Sequence, residues 1–226
     1  MVYAFLKFGK QENLQQLREE GLLYLNPLRY FSDLESDSEK GDSFEGLDTI
    51  YQPKDIGEFI FDTRTDLGKI TIAQSELAGS VRIGLDRTMA CNVYCMFAIT
   101  RPVDGELVDR RNFGFGDSCV LVLNPTEFLN RAFSAAEVTG LSFECDLVEY
   151  YDSAEYTGDV GPFRKRSRYA HQNEFRFVVR PGSNKAIKLI AGSLLDITSE
   201  VLPLSEVNQH LDFSTKSAKE AGLSWL

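Results

Sequence analysis

Histidine, cysteine and tryptophan are scarce in this 226-residue chain, which has two, four and one of them. His171 and His210 lie far apart, and Cys91 and Cys95 have no second Cys/His pair to complete a zinc site, so no metal is expected. Four cysteines (Cys91, Cys95, Cys119, Cys145) in a chain this long make no disulfide scaffold. Cys95 and Cys119 fall in apolar runs, and all four are expected to be reduced core residues. A charged-then-apolar leader is also lacking, because Lys7, Lys10, Glu12 and Arg18 interrupt the start. No apolar run approaches the roughly 18 residues of a membrane span. The expectation is a cytoplasmic protein with no membrane partner.

Positive charge is short as well. The net charge of −10 excludes a general nucleic-acid coating protein, whose affinity comes from phosphate neutralisation. The charges are unevenly spread. Residues 31–50 hold seven acids and one base, while residues 161–180 hold six bases and one acid. This leaves two readings open: a solvated basic loop balancing an acidic one, or a local site for an anionic ligand.

The apolar pattern predicts an α+β fold in one domain over residues 1–226, with no repeat or linker to mark a boundary. A strand over Val2–Phe8, a helix over Gln11–Glu20 capped by Gly21, and a strand over Leu22–Leu25 open the chain, followed by a helical turn with Arg29, Tyr30 and Phe31. Residues 32–46 read as an acidic loop or lid. Further strands are expected at 58–62, 69–73, 80–84, 92–99, 118–123, 141–150, 175–179, 187–190 and 194–197. Helices are expected at 127–135, 204–211 and 215–221.

The chemistry-bearing stretch is Gln172-Asn173-Glu174-Phe175-Arg176-Phe177, where the basic run becomes a strand. Strand alternation puts Gln172, Glu174 and Arg176 on one face and Phe175, Phe177 and Val179 on the other. A carboxylate so presented can act as a fixed negative charge, general base or hydroxyl acceptor. Its replacement in Glu174→Gln is expected to leave the melting temperature nearly unchanged. A lone Q-x-E also fits an ordinary strand with a solvated polar face. Asp42 and Glu45, between Gly41 and Gly46, read more readily as a solvated turn than as a site, and His171 as a packing residue. No compact acid or histidine set supports a nuclease.

The order of these parts resembles the ADP-ribosyltransferase superfamily: Tyr3-Ala4-Phe5-Leu6-Lys7-Phe8-Gly9, then helix and strand, the central Val93-Tyr94-Cys95-Met96-Phe97, then Gln172-x-Glu174. The chain is also similar to a group of bacterial proteins that pair K-F-G with G-x-L-Y-x-N-P-L-x-Y-F and end in Q-N-E-F-R-F, some of whose fold are phage-defence or toxin–antitoxin effectors. The resemblance implies a mixed, mostly antiparallel split sheet with short flanking helices and NAD as co-substrate. Glu174 would be catalytic, with Gln172 orienting the acceptor. NAD contacts would come from Lys7, Phe8, Gly9, Tyr24, Asn26, Arg29, Tyr30 and Tyr94, with Lys7 and Arg29 meeting the pyrophosphate. Arg164, Lys165, Arg166, Arg168 and Arg176 would bind the acceptor, with nucleic acid favoured over protein, and an antitoxin or chaperone is a possible partner. The alternative is an inactive relative that binds a nucleotide or a protein in the same cleft. The sequence departs from the superfamily in having Lys7 in place of Arg or His, and no Ser-Thr-Ser after the central strand.

Overall fold

The computed structural model describes residues 2–34, 41–84 and 90–214. The chain opens with β1 (Ala4–Gly9), α1 (Gln11–Glu20), β2 (Leu22–Pro27) and α2 (Leu28–Asp33). Leu14 and Leu17, one turn apart, seat α1 on the core, and Gly21 ends it with φ 67°. Only glycine serves there, since a Cβ would lie 2.1 Å from the Gly192 carbonyl oxygen. Four short strands follow: β3 (Thr49–Tyr51), β4 (Glu58–Asp62), β5 (Lys69–Ala73) and β6 (Val81–Ile83). The chain then runs through β7 (Asn92–Ile99), β8 (Ser118–Val122), α3 (Pro125–Val138), β9 (Ser142–Leu147), β10 (Glu149–Tyr151), β11 (Gly158–Asp159) and β12 (Arg164–Arg166). It closes with β13 (Glu174–Arg180), β14 (Ile187–Ile190), β15 (Leu202–Pro203) and α4 (Val207–His210).

Eight strands make the main sheet, in the order β14-β2-β7-β1-β8-β15, with β13 pairing both β7 and β9. Every pairing in it is antiparallel. The protein is therefore α+β, as the apolar pattern predicts, and its mostly antiparallel sheets and short flanking helices are the arrangement that the resemblance implied.

The feature that makes a site is a gap along β7. On one edge β13 follows it from Asn92 to Phe97. On the other edge β2 pairs with Asn92 and Val93, and β1 pairs with Phe97 to Ile99. Between them Tyr94, Cys95 and Met96 meet no strand on this second edge among the described residues, so the sheet parts there. Alternation along β7 and β13 sends Tyr94, Met96, Phe175 and Phe177 into an aromatic core with Phe5, Phe128, Leu14 and Leu17. The opposite face carries Cys95, Phe97, Glu174 and Arg176. A second cluster, with Leu6, Phe97, Ile99 and Leu107, closes the β1 end of that face. Helix α3 begins on Asn124, whose side chain accepts the Glu127 N–H at 3.1 Å, and buries Phe128, Ala132 and Ala136 at spacings of four.

Several expectations need correction. The strand expected over 141–150 breaks at Val148: β9 belongs to β13, and β10 leaves to pair in parallel with β12. Residues 194–197 form a turn, not a strand. Leu194 and Ile197 still bury into the aromatic core, so the apolar run reports burial without a ladder. Residues 161–172, read as a basic loop, are a 3-10 turn, β12, and a second 3-10 turn over Ser167–Gln172. Cys145 is exposed rather than core, while Cys91 and Cys119 are buried; none of the four forms a disulfide. The helix expected at 215–221 and residues 35–40 of the acidic stretch lie outside the described residues. No helix among the described residues is long and apolar enough to cross a membrane.

Candidate functional site

Asn173 adopts the left-handed conformation, φ 40°, and turns the Ser167–Gln172 helix into β13. The turn brings Gln172 and Glu174 onto one side, where both meet the same ammonium. Lys165 Nζ donates to Gln172 Oε1 and to Glu174 Oε1, each at 2.7 Å. Arg176 Nε donates to the other Glu174 oxygen at 2.7 Å, and its two terminal nitrogens grip Glu45 at 3.0 and 2.6 Å. The four charged groups are almost wholly buried, and they balance two against two. Burial alone would push the Glu174 carboxyl up, but Arg176 and Lys165 outweigh it and hold the group well below the usual carboxylate range. Burial likewise opposes the charge on Lys165, and the Glu174 and Glu45 carboxylates raise it above its ordinary value. The backbone of Glu174 is fixed too, its N–H donating to the hydroxyl of half-buried Tyr150 at 2.9 Å.

These contacts overturn the solvated-turn reading of Asp42 and Glu45. Both are buried. Asp42 accepts the Phe44 N–H at 3.0 Å and Arg166 Nε at 2.8 Å, so the acidic and basic stretches close on each other as ion pairs. They also correct the acceptor-binding set. Lys165 and Arg176 are inside, Arg166 pairs with Asp42 over the Phe44 ring, and Arg164 pairs with Glu149 at 2.8 Å. Arg168 is exposed, with its guanidinium over the Tyr169 ring. The run is thus largely internal, not an open cationic surface. Glu174 and Gln172 sit at the floor of a cleft rather than on a presented strand face.

Across the sheet gap, Lys7 reaches in from β1. Its ammonium donates to the Cys95 carbonyl at 2.7 Å, a bond that a neighbouring strand would otherwise have made, and stands 4.0 Å from the Tyr94 ring centroid. The resulting cleft has a volume of about 260 Å³. It gathers Lys7, Phe8, Tyr24, Asn26, Tyr30 and Tyr94 around Gln172, Glu174, Lys165 and Arg176. Tyr24 and Tyr30 are half exposed, whereas Tyr94 is buried with Lys7 over its face, so that face is not open for a ligand ring. Gly9 borders an adjoining cavity of about 410 Å³ that shares Lys7, Phe8, Tyr24 and Tyr94 with the cleft and adds Lys188. Arg29 is exposed and lines neither.

Two contributors escaped sequence reasoning. Phe115 and Asn112 come from the 3-10 turn Arg110–Phe115; Phe115 lies against Phe8, and Asn112 is buried with its Nδ2 donating to the His171 carbonyl at 2.9 Å. Glu45 was weighed and read as solvated; the signal for its true place was charge complementarity between residues 31–50 and 161–180. No cluster of potential metal ligands occurs among the described residues. Comparison of the chain with protein-family models, curated proteins and solved structures finds no match.

Proposed function

We propose that the protein is an NAD-dependent ADP-ribosyltransferase acting on a macromolecular acceptor, nucleic acid before protein. The observation that carries the reading is the convergence, across a parted sheet, of Lys7, Tyr24, Asn26 and Tyr30 with the Gln172–Glu174 pair. The two cavities that share Lys7, Phe8, Tyr24 and Tyr94 suit the two halves of a dinucleotide, with the Lys7 ammonium at the junction where a pyrophosphate carries its charge. Half-exposed Tyr24 and Tyr30 offer ring faces to a flat heterocycle.

In the reaction, the bond between ribose C1′ and the nicotinamide nitrogen breaks with its electron pair leaving on nicotinamide. The acceptor nucleophile bonds to C1′ and gives up its proton to solvent water. The sugar passes through an oxocarbenium-like state, which an ionised carboxylate stabilises. Glu174 is the group kept ionised there, and Gln172 beside it orients the acceptor. A role as a toxin or anti-phage effector, with an antitoxin partner, belongs to the same proposal. Expression of the wild type then arrests growth, and Glu174→Gln does not.

A second reading, a nucleotide- or partner-binding protein without turnover, is favoured by one observation. Both Glu174 oxygens are already taken by Lys165 and Arg176, which offset the negative charge that catalysis would use. Incubation with NAD and cell RNA, followed by chromatography of free nicotinamide, separates the two. Release by the wild type and none by Glu174→Gln supports transfer, and no release by either supports binding alone.

A further inference from the structure

The turn that aims Gln172 and Glu174 into the cleft aims its alternate residues, His171 and Asn173, the other way. They border a separate cavity of about 560 Å³ that shares Phe97 with the cleft. Its floor is apolar, with Ile99 and Leu107 buried beneath it, and its rim carries Arg101, Arg110 and Arg111. Glu106 and Asp109 are also at the rim, paired with Arg110 at 2.8 Å and Arg111 at 2.7 Å.

These pairs differ in kind from those around Glu174. The Arg110 and Glu106 side chains are 77% and 52% exposed, against 4% and 9% for Lys165 and Glu174. An exposed ion pair contributes little and is readily exchanged for another anion, whereas a buried one cannot open without stranding a charge. Arg101 is exposed and has no ion-pair partner among the described residues. Most of the exchangeable arginines near the site are therefore here, and in the run 164–176 only Arg168 is exposed.

We propose that this cavity binds a single-stranded nucleic acid, with a base over the apolar floor and phosphates on the rim arginines. A nucleotide separates its flat apolar part from its charge, as the cavity does. An acidic side chain would meet the rim arginines as Glu106 and Asp109 do and leave the apolar floor uncovered. Guanidinium forks match phosphate oxygens in pairs. A strand held there lies across the 171–173 turn from Glu174, so its neighbouring nucleotide is the acceptor presented for ADP-ribosyl transfer. That last role rests on the transferase reading; the binding does not.

The test is fluorescence anisotropy of a labelled short single-stranded RNA with the full chain at two salt concentrations. Arg101→Glu and Arg110→Glu are each expected to weaken binding by about tenfold and to flatten the salt dependence, while Lys69→Glu, an equal change of charge on β5, which does not line the cavity, changes it by less than about twofold. Circular dichroism shows that each variant folds, and Arg101→Gln, a milder change, is expected to weaken binding in the same direction. The proposal is overturned if the wild type does not bind the RNA, if all variants bind alike, or if polyglutamate displaces the RNA at equal concentration, which would assign the rim to an acidic protein. Binding that depends on these arginines without nicotinamide release would sink the transferase reading and leave the site standing.

Discussion

Glu174 is an ionised carboxylate placed where water scarcely reaches, and the cations that keep it charged come from both sides. Arg176 stands two residues along the same strand; Lys165 comes from β12, and Glu45 completes the set from 131 residues away. Glu174→Gln therefore turns an amide toward one of two buried cations. The expected cost is about 3 kcal/mol, or a fall of roughly 10 °C in melting temperature by calorimetry. This replaces the expectation, drawn from an exposed strand face, that the substitution is silent. The same network sets a pH window. Glu174 is depressed below its ordinary 4.5, so its contribution is present above about that pH and is lost as pH falls through the folded value. Lys165 is raised above its ordinary 10.5, so its contribution holds below that pH and is lost as pH rises through the folded value. Melting scans should show this contribution level between the two limits and falling outside them, with both falls reduced in a Glu174→Gln background. What alternation made legible was that Glu174 and Arg176 share a face; Gln172 joins them through the left-handed turn at Asn173 and not, as expected, as part of the strand. That the face is covered was hidden, because period-two alternation says nothing of which distant segment lies over it.

At the scale of elements, the helix–glycine–strand entry is set by local chemistry and was readable residue by residue. Gly21 is where that local rule meets a tertiary constraint. Gly21→Ala must take a left-handed φ and crowd the Gly192 carbonyl, so the expected loss exceeds about 1 kcal/mol in urea titration. The β4–β5 hairpin is the opposite case. Its strands were located by alternation, yet they pair only with each other, and Ile60, Phe61 and Ile70 remain about half exposed. Ile60→Lys is expected to change stability by no more than about 0.5 kcal/mol, and hydrogen exchange should find these amides among the fastest in any strand. The break at Val148 and the short pair β10–β12 were not legible, because three-residue strands held by partners far along the chain carry no period of their own.

For the whole molecule, the apolar pattern led correctly to an α+β protein and the resemblance to a mainly antiparallel sheet, but the sheet order and the gap between β1 and β2 could not be read from any window of residues. The gap is what turns Lys7, an odd charge in an apolar strand, into a group that caps the Cys95 carbonyl at the cleft wall. The charge asymmetry was visible from the start, and its meaning changed: most of the cations near the acidic stretch neutralise it internally. A chain of net charge −10 then has few exchangeable cations to spend on a polyanion, which favours a confined contact over a broad one. The central claim is that the carboxylate at the floor of this cleft cleaves NAD. Its most direct test is free nicotinamide released from NAD by the purified full chain with RNA present, at a temperature below the melting transitions of both wild type and Glu174→Gln. The expected result is release by the wild type and at least about a hundredfold less by the variant; equal release by the two, or none by the wild type, contradicts it.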